Sequence, residues 1–353
     1  MFSNKFLLHS FIWNDYFRRI KLLTMEMYRF IGDFPRNVGD AVKASKSLLL
    51  KPAQNAISNV VITGLGGSGI GGKIVSDIVR GSAACPILIN NDYSIPAFVN
   101  KNTLVIACSY SGNTEETLTA VGTAIEKGAE IACLTSGGKL KEMAEANGYN
   151  LVVVPGGNPP RTTLGTTSPR LFAILKHYGI IDDRYDASLD KVSAYLKQHE
   201  FEIQTKAQLM AEGLYTYTPV IYSDAGYEGV AIRLRQQLNE NSKILCWHHV
   251  FPEMNHNELV GWVSGNEKIA VIMLRTDDDP ERTQTRMDLS LNIFGKYTEN
   301  ITEIHAKGDD KVIRTYYLIH FIDWLSLYLS EQYGVDSVEI DVIDYLKGEL
   351  AKK

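Results

Sequence analysis

The sequence predicts an α/β protein built from two tandem, doubly wound parallel sheets, and three observations carry that prediction. From about residue 59 to residue 154, β-branched runs such as NVVIT, TLVIAC and EIACLT alternate with amphipathic helical stretches. The runs lack polar alternation, the pattern of strands covered on both faces. The same strand-helix rhythm returns after about residue 218, and 353 residues is enough for two domains of roughly 100–200 residues each.

Taken in order, residues 1–24 are aromatic and basic, but His9, Asn14, Asp15, Arg18 and Arg19 interrupt every apolar stretch. They read as neither a signal peptide nor a membrane span, but as a disordered or loosely docked tail. Met25 opens a more regular amphipathic segment and is a second possible start. A first domain is expected over residues 25–185, in which NVVITGLG, CPILINND, TLVIACSYS, EIACLT and NLVVVPGG are the strand runs. A helix from Arg161 to about Gly179 closes it. A charged helical stretch from Ala187 to Gly213 reads as the link between halves. In the second domain, residues 186–353, TPVIYSDAG, SKILCWHH, EKIAVIMLRT and ENITEIHAKG are the strand runs, and two helices end the chain. Open α/β sheets place ligands in a crevice at the carboxyl ends of their strands.

Composition excludes several classes. Thirty-six basic and 41 acidic side chains give a formal charge of −5 with no block of one sign, so nothing favours a nucleic-acid backbone. Cys85, Cys108, Cys133 and Cys246 are far apart, three of them in or beside apolar runs. That usage fits a reducing, cytoplasmic setting without a disulfide framework.

Two loops carry chemistry. The segment from Gly64 to Gly72, GLGGSGIGG, follows a strand and opens a helix. Gly67 and Ser68 there offer close backbone approach and a helix N-terminus to an anion. Gly64, Gly66 and Gly69 also satisfy the dinucleotide fingerprint, with Asp92 in the place of a ribose-binding acid. The second loop, CSYSGNT, again joins strand to helix. Its Ser109, Ser111 and Thr114, with Ser68 from the first loop, direct four hydroxyls into a cup that suits a phosphate monoester. Helix capping explains one of these hydroxyls but not four.

GGSGIGG paired with SYSGNTEET resembles a sugar isomerase (SIS) domain. PGGNPPRTTLG, QLNENSK and PEMNHNELVGW together resemble the bifunctional phosphoglucose/phosphomannose isomerases of that superfamily, from about Met25 to the C-terminus. The resemblance implies two SIS domains, a homodimer, no metal and no cofactor. It also implies interconversion of glucose 6-phosphate or mannose 6-phosphate with fructose 6-phosphate through a cis-enediol. Glu240, in the Asn239-Glu240-Asn241 motif, matches the family's catalytic base; a structural acid gains little at a helix C-terminus. His256 matches the ring-opening histidine, which in the family reaches the partner subunit's site, although a histidine in a polar loop is often only solvated. Glu258 is either its orienting partner or a helix cap. Arg161, behind Pro159-Pro160, matches the arginine that stabilises the enediolate, with Arg170 as competitor. Lys347 is either a contact of the open-chain sugar or a solvated lysine. The family's threonine near C2 is missing: Val338 stands at the aligned position, and Ser337 is the substitute at hand. That departure bears on the mannose reaction more than on the glucose one.

Other readings are a non-catalytic sugar-phosphate sensor on the same fold and a dinucleotide-dependent dehydrogenase. His248, His249 and His256 lie close in sequence, but adjacent strand residues point to opposite faces and no cysteine stands at ligand spacing, so a metal site is not expected.

Overall fold

The computed structural model describes residues 25–352; the expected tail over residues 1–24 lies outside them. Helical residues 25–32 (α1) and α2 (Phe34–Ser45) lead into β1 (Asn59–Thr63), α3 (Gly66–Val79), β2 (Ile87–Asn90) and β3 (Thr103–Cys108). Then come α4 (Glu115–Glu126), β4 (Glu130–Thr135), α5 (Gly138–Asn147), β5 (Asn150–Val153) and α6 (Leu164–His177). These strands form one parallel sheet in the order β2-β1-β3-β4-β5. The order reverses between β1 and β3, and that switch point is where a crevice opens. Every residue of β3 is buried, as its unbroken apolar run requires.

The long helix α7 (Asp186–Leu214) follows, then β6 (Thr218–Asp224), α8 (Glu228–Glu240), β7 (Trp247–Phe251) and the short α9 (Glu258–Gly261). β8 (Ile269–Arg275), α10 (Glu281–Phe294), β9 (Ile301–His305), α11 (Lys311–Tyr333) and α12 (Asp341–Leu350) complete the chain. The second sheet is also parallel, in the order β7-β6-β8-β9, with β7 on its outside. The strand expected from Ser242 is shorter than its sequence run, beginning only at Trp247.

Two expectations are corrected. Residues 187–213 are no simple link: α7 packs along α11 and α2 and buries Leu189, Val192, Leu196, Ile203 and Ala207. Its charges occupy the outward face, so composition hid an apolar stripe. The helix expected from Arg161 starts later: Pro160–Thr162 is one tight turn and α6 begins at Leu164, because Pro159 and Pro160 hold the preceding backbone extended. α11 is apolar nearly all round and correspondingly enclosed. Among the described residues no helix is long and apolar enough to cross a membrane.

Candidate active site

The glycine-rich loop leaves the end of β1 and the serine-rich loop the end of β3, so the two flank the switch point of the first sheet. Ser68 Oγ accepts from the Tyr110 amide at 3.0 Å, which fastens one loop to the other. Ser109 is buried, and its hydroxyl pairs with Thr114 Oγ1 at 2.8 Å. Ser111 is exposed and its Oγ accepts from the Asn113 amide at 3.2 Å. The four hydroxyls expected to form a cup are thus unequal: Ser68 and Thr114 are partly exposed, Ser111 is exposed, and Ser109 is buried against Thr114. Tyr110, between them, is buried; its hydroxyl donates to Pro155 O at 2.9 Å and accepts from the Asn158 amide at 3.1 Å. The serine loop thus also positions the Asn158-Pro159-Pro160-Arg161 segment.

That segment is where the cup meets the second half. A Cβ on Gly67 would lie 2.6 Å from the Pro160 carbonyl carbon and 2.7 Å from the Arg161 amide nitrogen, a space only glycine leaves open. Arg161 is buried. Its Nε donates to Asn241 Oδ1 at 2.8 Å, and its Nη2 donates to the carbonyls of Ser337 at 2.7 Å and Val338 at 3.0 Å. Its Nη1 lies 3.4 Å from Glu240 Oε2. Burial pulls the guanidinium below its ordinary pKa, while Glu240, Asp336 and Glu339 oppose that shift. Glu240, the last residue of α8, is partly exposed and lines a cavity of about 310 Å³ with Lys243, Leu245, Glu339 and Ile343.

A buried polar network invisible in the sequence holds this arrangement. Arg233 Nη2 donates to Asp323 Oδ2 at 2.6 Å and to the Arg161 carbonyl at 3.0 Å. Asn241 Nδ2 donates to Ser326 Oγ at 3.0 Å, fixing the amide that orients Arg161. Lys243 Nζ bridges the carbonyls of Glu240, at 2.5 Å, and Glu339, at 2.7 Å, tying the end of α8 to the turn before α12. Arg170 is settled differently: its Nη1 bonds the Thr166 carbonyl on its own helix, away from Glu240. Ser337 Oγ is buried and has no hydrogen-bond partner among the described residues.

Several expected residues do not join the cluster. His256 ends the turn after β7, on the carboxyl side of the second sheet, whereas Glu240 precedes β7 on the amino side. The length of α8, 13 residues or about 20 Å, separates the two sides. Glu258 neither orients His256 nor caps a helix: it accepts from Tyr222 OH at 2.5 Å and Trp247 Nε1 at 3.1 Å. Asn257 caps α9 instead. Lys347 is exposed on α12 and does not line the cavity at Glu240. Asp92 accepts from its own neighbours Tyr93 N and Ser94 Oγ. A Cβ on Gly69 would meet the Gly64 carbonyl oxygen at 2.3 Å, so a glycine there lets helix and loop approach closely. Among the described residues no group of three or more His, Cys, Asp or Glu side chains stands ready for a metal ion.

The second sheet's own switch point, between β6 and β8, carries Asp224, Asp278 and Asp279, and the Thr276 hydroxyl there is already engaged with Asp279 at 2.8 Å. A phosphate there would meet carboxylates.

Residues 203–350 match the family described as bacterial phospho-glucose isomerase C-terminal SIS domain. A bifunctional phosphoglucose/phosphomannose isomerase from Caldicellulosiruptor bescii is 35% identical over 92% of this chain and 99% of its own length. One from Thermoplasma acidophilum is 36% identical, covering 83% and 90%. The chain belongs to the bifunctional phosphoglucose/phosphomannose isomerase family. A D-glucosamine-6-phosphate 4-epimerase from Sulfolobus acidocaldarius is 31% identical over 72% of this chain and 80% of its own. In fold, tagatose-6-phosphate ketose/aldose isomerase from Escherichia coli superposes with a TM-score of 0.65 at 15% identity, covering 89% and 95%. The two parallel sheets are accordingly tandem SIS domains, and the chain is a sugar-phosphate isomerase by family.

Proposed function

We propose that this chain interconverts an aldose hexose 6-phosphate, glucose or mannose 6-phosphate, with fructose 6-phosphate, without a metal or cofactor. One observation carries the reading. Gly67, in the anion cup, abuts the Pro160–Arg161 peptide, and the Arg161 guanidinium lies 3.4 Å from Glu240. A phosphate held by the cup therefore brings its sugar alongside an arginine and a carboxylate.

In this reading Gly67, Ser68, Ser111 and Thr114 bind the phosphate and Ser109 holds Thr114 in place. Glu240 removes the proton from C2 of the open-chain aldose, and the electron pair moves to make the C1–C2 double bond of a cis-enediol. The former carbonyl oxygen at C1 takes up the proton that the C2 hydroxyl gives up, and Glu240 returns the carbon-bound proton to C1 as C2 becomes the ketone, so one proton passes from O2 to O1 and one from C2 to C1. Arg161 stabilises negative charge on the enediol oxygens. His256 passes a proton between the ring oxygen and the C1 hydroxyl, acting from the partner subunit of a homodimer, because its own Glu240 is out of reach. Lys347 has no step assigned. The free thiols of all four cysteines fit a cytoplasmic enzyme.

The test is a coupled assay offering fructose 6-phosphate and detecting glucose 6-phosphate and mannose 6-phosphate separately. Turnover is expected, with Glu240→Gln lowering kcat by about 100- to 10,000-fold while binding of a sugar phosphate persists. Binding without turnover in the wild-type protein would favour a sensor, and near-normal activity of the variant would remove Glu240 from the reaction.

A further inference from the structure

The turn that ends α8 holds a lysine in an unfavourable backbone. Glycines aside, only Thr216 and Lys243 among the described residues have φ in the left-handed region, Lys243 at 58°. That conformation closes the helix: Ser242 and Ile244 both return their amides to the Leu238 carbonyl, at 3.2 and 3.3 Å. A glycine or an asparagine makes such a turn with less crowding than a long side chain. The backbone alone therefore does not call for lysine.

The side chain has a use beside the catalytic carboxylate. Lys243 Nζ donates to the Glu240 carbonyl at 2.5 Å and to the Glu339 carbonyl at 2.7 Å, and Lys243 lines the same cavity as Glu240. Glu240 is the last residue of α8, so its carbonyl is one that the helix leaves unpaired, and a cation there also answers the negative end of the helix. Charged side chains from three segments meet at this point. Arg161 comes from the turn before α6, Glu240 and Lys243 from the end of α8, and Asp336 and Glu339 from the stretch before α12. Burial pulls the Lys243 ammonium below its ordinary pKa, and Glu339, Asp336 and Glu240 oppose that shift. Without Lys243, three carboxylates would face one guanidinium, a surplus that disfavours both an ionised base and negative charge on enediol oxygens.

We infer that Lys243 is a positioning residue for the isomerisation: its left-handed turn folds the ammonium back over the end of α8, where it fixes the backbone of Glu240 and balances the carboxylates around it. The backbone strain at Lys243 is then explained, since only a side chain leaving the turn in this direction reaches both carbonyls. Lys243 acts through Glu240 rather than on the sugar, so its loss should slow the chemical step more than it weakens binding. The role rests on the isomerase reading.

The experiment uses the full chain, with fructose 6-phosphate as substrate. Lys243→Gly removes the ammonium and suits the turn, so its urea midpoint should stay at or above that of the wild type. Its kcat should fall by about 10- to 100-fold while KM changes by less than about threefold. The acid limb of its kcat/KM profile should move to higher pH by about 0.5 unit, because a carboxylate that loses a neighbouring cation takes up a proton more readily. Lys243→Arg keeps a cation that can donate to two carbonyls, and should recover most of kcat and return the acid limb. Near-normal kcat in Lys243→Gly, beside an active wild type, overturns the role. So does a low kcat with an unmoved acid limb and no recovery in Lys243→Arg, the pattern of a merely structural turn. A wild type that binds fructose 6-phosphate without converting it overturns the isomerase reading and this role together, and is told apart from the other failures by the wild-type assay alone.

Discussion

Asp323→Ala is the most demanding test of how the site is held. In the folded chain Asp323 accepts from Arg233 Nε at 3.0 Å, from Arg233 Nη2 at 2.6 Å and from Gln237 Nε2 at 2.8 Å. The side chains of Arg233 and Asp323 are 2% and 4% exposed. Removing the carboxylate strands a guanidinium with no water to turn to, a loss of about 3–5 kcal/mol. Against a typical total of about 5–15 kcal/mol, that is a large share of the stability. Urea denaturation monitored by tryptophan fluorescence reads it directly. Replacing the pair together, Arg233→Met with Asp323→Leu, should recover most of the stability, because two apolar side chains leave no buried charge. It should not recover turnover. Arg233 Nη2 also donates to the Arg161 carbonyl at 3.0 Å, and without that bond the arginine beside Glu240 loses its anchor; kcat should stay about tenfold low while KM moves little. A cost below about 1 kcal/mol for Asp323→Ala, or a double variant that regains both stability and kcat, would refute the reasoning.

Three further outcomes follow from particular residues. Ser111→Ala with Thr114→Ala should raise KM by about 10- to 100-fold with a smaller change in kcat, since a bound phosphate loses two hydroxyl donors; steady-state kinetics decide it. Burial pushes the Cys108 and Cys133 thiols up to about 12 and Cys246 up to about 11. Alkylation at pH 8 followed by mass spectrometry should therefore leave Cys108 and Cys133 unlabelled until the protein is unfolded. Burial also raises Asp279 from 3.8 to about 6, although Thr276 donates to it through both its amide and its hydroxyl. Between those values the folded state binds more protons than the unfolded one, so the Asp279 contribution falls as pH rises from about 4 to about 6. Asp279→Asn should flatten that part of a stability–pH curve measured by urea denaturation.

The strands and the two ligand loops were legible in the sequence because their causes are local. An unbroken β-branched run such as TLVIAC states its own burial, and hydroxyls or glycines at a strand end state what the following helix N-terminus can hold. The NEN motif placed Glu240 at the end of α8, where it is found. The choice between Arg161 and Arg170 was not legible, since both follow a proline. In the fold, Arg161 bonds Asn241, Ser337 and Val338, whereas Arg170 bonds its own helix. Arg233, Asp323 and Lys243 passed as ordinary charged residues because a buried ion pair leaves no periodic trace; its members need only meet in space. Charge on its outer face likewise concealed that α7 is part of the core. The sequence by itself determined the sheets and which hydroxyls stand at the ends of β1 and β3, because those depend on neighbours a few residues away. Only the tertiary structure decided that the glycine loop, Arg161 and Glu240 lie together and that His256 stands at the other side of its sheet. Those relations are set by how helices pack across the two halves.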